Sequence, residues 1–179
     1  MVDIVKAPSN ETALLVIDVQ RALFTRSTPV YLAYALLETI NALISRARLY
    51  GVQVVYIQHS NDSILQKGTN GWDFHPDLSP PTGQDLIIYK THGNSFTDTW
   101  LQNDLDARGI KNLIITGLVT QNCVRATSLG GLALDYQVIL GQGGHSNYSK
   151  DAPRVIEERE NELENAGVVV IPSENIDFS

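Results

Sequence analysis

The chain has 179 residues, 20 acidic against 13 basic, and a formal net charge of −7. That charge argues against a nucleic-acid partner, because holding phosphate takes a basic surface. An apolar share of 43% with 18% charged residues excludes a disordered or fibrous chain, and the length suits one domain spanning 1–179 with a sizeable core.

A single cysteine, Cys123, cannot close an intrachain disulfide, which suits a reducing compartment. No apolar run approaches the roughly 20 residues that span a bilayer. The opening MVDIVKAPSNETALLV has no long apolar region ahead of a small-residue cleavage site. The expectation is a cytoplasmic protein without a membrane partner.

In chain order, an apolar run at 13–19 is followed by a helical pattern at about 30–50. Ala33, Leu36, Leu37, Ile40, Leu43, Ile44 and Ala47 share one stripe of it, and Gly51 closes it. A second run occupies 52–58. From His59 to Asp85 the chain is rich in Gly, Pro, Asn and Asp and has no period; loops of that length inside a domain tend to be functional. A third run, 86–89, precedes a helix expected from Ser95, with Asp98 as a capping signal, to Gly109. The fourth run, 113–116, leads into a helix beginning near Thr120. The fifth is 137–140, and a polar helix at about 151–166 precedes the last run, 168–171. These runs are nearly continuous rather than alternating, as in strands covered on both faces. Their alternation with helices predicts a three-layer α/β/α domain with a doubly wound parallel sheet.

Ligands of such sheets bind at the carboxyl ends of the strands, so the residues at those ends carry the chemistry. The first strand finishes at Asp18, the third at Lys90, and the fourth leads to Cys123 in the first turn of its helix. Singly, each has a plain reading: a turn cap, a solvated lysine, a small buried thiol. Together they form an acid, a base and a nucleophile at one edge. A helix start and a neighbouring ammonium lower a thiol pKa, and a carboxylate can take the thiol proton and later give it to a leaving amine.

Asp18-x-Gln20, the loop GWDFHPDLSPPTG, the segment YKTHGNSFTDTWL and the stretch GLVTQNCVRAT together resemble the isochorismatase-like cysteine hydrolase family, over about residues 12–172. The resemblance implies a six-stranded parallel sheet and an Asp–Lys–Cys triad that opens amide or related C–N bonds through a thioester. Asp18 matches the acid/base, Lys90 the lysine and Cys123 the nucleophile. It further implies a cis peptide before Val119, with the backbone N–H groups of Val119 and Cys123 as the oxyanion hole. Two features depart from the family pattern. Where relatives often carry an aspartate after the fifth strand, this chain reads Gly141-Gln142-Gly143-Gly144-His145-Ser146. The helix after Cys123 holds Gly130-Gly131, each costing about 1 kcal/mol relative to alanine; close contact with the sheet or another subunit would explain them.

The GQGG stretch lacks the spacing of a dinucleotide fingerprint and reads as a flexible turn. Four histidines, His59, His75, His92 and His145, raise the question of a metal. Relatives acting on nicotinamide carry an Asp-x-His pair where this chain has Gln58-His59-Ser60-Asn61-Asp62, so neither a catalytic metal nor another cofactor is expected. Phe24 and Trp72 are candidates for an apolar wall around a small, flat substrate, and Gln20 and Gln121 for orienting it by hydrogen bonds. The reading is a cysteine-dependent hydrolase of a small amide, ureido or carbamoyl compound, working as a dimer or tetramer. The alternatives are an isochorismatase-type vinyl-ether hydrolase, for which a thiol has no use, and a silent binding relative.

Overall fold

A computed structural model describes residues 3–179. Eight strands and five α-helices follow one another as β1 (Val5–Lys6), β2 (Thr12–Ile17), α1 (Arg21–Phe24), α2 (Ala33–Tyr50), β3 (Gln53–His59), β4 (Leu86–Lys90), α3 (Leu101–Asp106), β5 (Asn112–Leu118), α4 (Arg125–Ala133), β6 (Gln137–Ser146), α5 (Ala152–Ala166), β7 (Val169–Pro172) and β8 (Ile176–Asp177). Six strands form one sheet in the order β4-β3-β2-β5-β6-β7, every pair parallel. β1 and β8 pair in a separate two-stranded ribbon.

Strand composition explains the layering. Every residue of β2 and β5 is buried, and side chains alternate between the two faces with the period of two that a pleated strand imposes. Leu14 and Val16 join the cluster under α2, with Ile40 and Ile44. Leu15 and Ile17 join the opposite cluster, with Leu101 and Leu105 of α3 and Leu163 of α5. The three-layer α/β/α, six-stranded expectation is met. Among the described residues, no helix is long and apolar enough to cross a membrane.

The strand order reverses between β2 and β5: β3 and β4 extend the sheet to one side, β5, β6 and β7 to the other. A crevice opens at the carboxyl ends of the strands at such a switch point. Gly117 permits the close approach of the two central strands there. It pairs with Ile17 at φ 115°, and a Cβ on it would stand 2.0 Å from Ile17 O. Gly117→Ala is therefore expected to cost about 4 kcal/mol or more, read as the loss of unfolding free energy in urea. A loss below about 1 kcal/mol would show that β2 and β5 can part at that point.

Two local expectations are corrected. The helix expected from Ser95 begins at Leu101. Ser95 is buried and spends its backbone N–H and hydroxyl on Thr127 Oγ1, at 3.0 and 2.8 Å, while Asp98 stands at φ 54° with an exposed side chain. A tertiary partner 32 residues away has displaced the local cap. Likewise, the GQGG stretch is not a turn. β6 runs through it, and the register with β5 jumps from Ile115↔Leu140 to Gly117↔His145, so residues 141–144 form a bulge. Gly141 presses on Ser173, which a Cβ would meet at 2.6 Å.

Gly130 and Gly131 are explained within the chain. A Cβ on Gly131 would lie 3.0 Å from Leu113 and Val138 of the sheet, and one on Gly130 would lie 2.5 Å from the Asn94 amide. Their close contacts need no second subunit.

Candidate active site

Three segments meet at the carboxyl edge. Asp18 directly follows β2, is 2% exposed and turns the chain at φ 52°. Lys90 ends β4, two strands and roughly 10 Å away across the sheet, so its long stem must pass the end of β3 to reach Asp18. The register sets its path, because His59 of β3 pairs with Lys90. Cys123 lies in a π-helical turn, Thr120–Val124, which continues into α4. The Leu118–Val119 peptide before that turn is cis, as the resemblance implied.

Lys90 Nζ is the hub. It donates to Asp18 Oδ2 at 2.9 Å and His92 O at 3.1 Å, and lies 2.9 Å from His59 Nδ1 and 3.2 Å from Cys123 Sγ. An ammonium has three protons, so four neighbours cannot all accept one. The three oxygen and nitrogen acceptors satisfy it, and sulfur, the weakest acceptor, is left beside the positive charge. This makes His59 Nδ1 an acceptor and places the imidazole proton on Nε2. Burial, and then the Lys90 ammonium, hold the His59 pKa below its usual value, which keeps the ring neutral. Asp18 Oδ1 is buried without a hydrogen-bond partner.

The thiol departs from expectation. Burial, followed by the Asp18 carboxylate, pushes the Cys123 pKa up to about 12, against the opposing pull of Lys90. The lysine does not outweigh burial and the carboxylate, so the resting group is a neutral thiol. The expected result is no thiolate step in ultraviolet absorbance near 240 nm between about pH 5 and 9, taken as the difference between the intact chain and Cys123→Ala. A step in that window would show the thiolate to be the resting form.

Asp18, His59 and Cys123 line a cavity of about 330 Å³ together with Leu118, Val119 and Asn122, and the fully buried Lys90 side chain stands behind them. The volume lies near the lower end for small-molecule sites. The sequence model of the Isochorismatase domain matches residues 12–174 of the chain. The chain belongs to the isochorismatase family.

Among curated relatives of this isochorismatase-family chain, a streptothricin hydrolase from Streptomyces noursei is 33% identical over 138 residues, covering 76% of the chain and 50% of the relative. The chain spans about half the length of that protein and 54% of a second streptothricin hydrolase from the same organism. A ureidoacrylate amidohydrolase from Stutzerimonas stutzeri (strain A1501) is 29% identical, covering 76% of the chain and 71% of the relative. A solved isochorismatase-family structure from Chromobacterium violaceum superimposes with a TM-score of 0.88 at 26% identity, covering 98% of this chain and 96% of its own.

The structure brings Asp18, Lys90, Val119 and Cys123 together but separates the four expected substrate contacts from the cavity. Gln20 is fully buried. Its amide donates to His59 O and Trp72 O and accepts from His59 N, all at 2.8 to 2.9 Å, so it pins the long loop to β3. Trp72 gives its indole N–H to Ser60 Oγ and stacks on Tyr89 at 5.8 Å. Phe24 packs on the α2-side core with its ring 4.4 Å from His75. Gln121 donates to Ser149 Oγ. None of the four lines the cavity; Leu23, Arg26, Ile64, Leu65 and Tyr148 do. His59 and Tyr148 stand at or just past the ends of β3 and β6, where the same strand-end rule reaches them.

Glu160 of α5 lies 3.1 Å from His145 Nε2 and accepts from Gln142 Nε2 at 2.8 Å. His145 Nδ1 lies 3.0 Å from Thr120 Oγ1, in the turn that carries Cys123. Burial alone would raise the Glu160 pKa, but the hydrogen bonds from His145 and Gln142 prevail and lower it. A depressed carboxylate stabilises the fold above its unfolded value near 4.5, and that contribution fades as pH falls through the folded pKa.

Proposed function

We propose that the chain is a cysteine-dependent hydrolase that opens a C–N bond of a small amide, ureido or carbamoyl compound through a thioester. The observation that carries this reading is the convergence of Asp18, Lys90 Nζ and Cys123 Sγ, with Lys90 Nζ 2.9 Å from Asp18 Oδ2 and 3.2 Å from Cys123 Sγ, where Asp18 and Cys123 line a small cavity. The relatives named for hydrolysing streptothricin and ureidoacrylate support a hydrolase of that kind.

Sγ attacks the carbonyl carbon as its proton passes to Asp18, so a thiol with a high resting pKa needs to ionise only during attack. The backbone N–H groups of Val119 and Cys123 receive the developing oxyanion, where each donor is worth roughly 10²–10³ in rate. Asp18 then protonates the departing nitrogen, the C–N bond breaks, and ammonia or an amine leaves the acyl thioester. Water, giving its proton to Asp18, attacks the thioester; the acid departs and that proton returns to sulfur. Lys90 holds its charge beside both the carboxylate and the sulfur throughout. The test is a screen of short amides and ureido acids for ammonia or amine release. No hydrolysis of any member by the intact chain would overturn the reading.

The ligand atoms of Asp18, His59 and Cys123 lie within 4.8 Å of one another, a donor set that a metal could also use. Here the Lys90 ammonium contacts all three, and a metal cation would have to displace that like charge. Dialysis against a strong chelator is expected to leave turnover unchanged. Loss restored by zinc, iron or manganese would show that these donors serve a metal.

A further inference from the structure

The cavity has one charge that no group among the described residues answers. Asp18 is paired with Lys90 at 2.9 Å, and His59 is held neutral. Arg26, in the bend after α1, also lines the cavity. Among the described residues it joins no ion pair. Its guanidinium lies over the Tyr148 ring, 4.4 Å from the centroid, and Tyr148 arrives from the segment just past β6. This contact restrains the guanidinium while leaving its N–H groups free to donate, because the ring face takes the charge and not the protons. A restrained fork with free donors matches a carboxylate. It is also a local positive point on a chain of net charge −7, so general anion attraction does not account for it.

We infer that the substrate carries a carboxylate, which Arg26 binds at the exposed mouth of the cavity while the scissile carbonyl sits at Cys123. The inference rests on the hydrolase reading above and narrows its substrate class to short acids bearing an amide or ureido group. A cavity of about 330 Å³ places both functions on one compact molecule. A single guanidinium suits a monoanion; a phosphate dianion would call for more donors. A cationic substrate would meet repulsion at the mouth.

The experiment separates binding from turnover. Ureido and ω-amido acids of two to five carbons, each matched with its neutral primary amide, are titrated by calorimetry into Cys123→Ala and into Cys123→Ala/Arg26→Gln. The expected result is at least about tenfold tighter binding of the acid than of its amide by the first protein. That preference should weaken with salt and fall toward one in the second. Equal binding of acid and amide by the first protein, or a preference that survives Arg26→Gln, overturns the inference. The intact chain is assayed in parallel on the same pairs. Acid-selective binding without any hydrolysis would defeat the hydrolase reading and leave the carboxylate site standing. Hydrolysis of acid and amide with equal kcat/KM would do the reverse.

Discussion

Cys123→Ala should remove at least about three orders of magnitude of kcat, as loss of a covalent nucleophile does when the rest of the machinery is intact. Alanine has no group to form the thioester, and water in its place would have to attack the amide directly. The fold should survive, because Cys123 is only partly buried at the edge of its cluster and the change removes one sulfur atom. A midpoint shift of a few degrees, about 1 kcal/mol, is expected in thermal unfolding. In the intact chain, a slowly hydrolysed substrate quenched in acid should leave its acyl mass on the peptide containing Cys123. Turnover by Cys123→Ala within about tenfold of the intact chain would sink the thioester mechanism, whichever substrate proves best.

The second large effect belongs to Lys90. Its side chain is fully buried, and the partner Asp18 side chain is 3% exposed. Lys90→Met takes the ammonium donor away from Asp18 Oδ2, while Oδ1 already has no partner. Breaking a buried pair from one side costs about 3–5 kcal/mol, because a charge is left uncompensated. It also removes the one influence that lowers the thiol pKa, so about a thousandfold loss of turnover is expected. Adding Asp18→Asn to Lys90→Met removes the stranded charge, and the double variant should regain most of the stability and none of the activity. This non-additivity in stability is the mark of a coupled pair. A Lys90→Met protein of unchanged unfolding free energy, or with turnover within about tenfold of the intact chain, would show that the ammonium is a bystander.

The three candidate side chains, Asp18, Lys90 and Cys123, were legible because strand ends are legible. The apolar runs ending at Asp18 and Lys90, and the glycine after Thr116, are local patterns, and a parallel sheet brings such ends to one edge. The family resemblance then assigned their roles. The surroundings were not legible in the same way. Gln20 and Trp72 sit in promising places along the chain, yet their side chains serve the loop and β3. Ser95 and Asp98 spell a cap, but Thr127 supplies a better partner from another element. The Glu160 carboxylate reaches His145 from a helix that the sequence marked only as polar.

What the sequence determined by itself, then, is the layered fold and the convergence of Asp18, Lys90 and Cys123, since both follow from short-range periodicity and the geometry of parallel strands. Which side chains face the cavity, which of four neighbours takes a proton of Lys90, and the direction of the Cys123 pKa shift were decided only by tertiary structure. Those depend on contacts between residues tens of positions apart and on burial. Desolvation of the thiol has no periodic trace in the chain, and with the Asp18 carboxylate it outweighs the neighbouring lysine that points the other way.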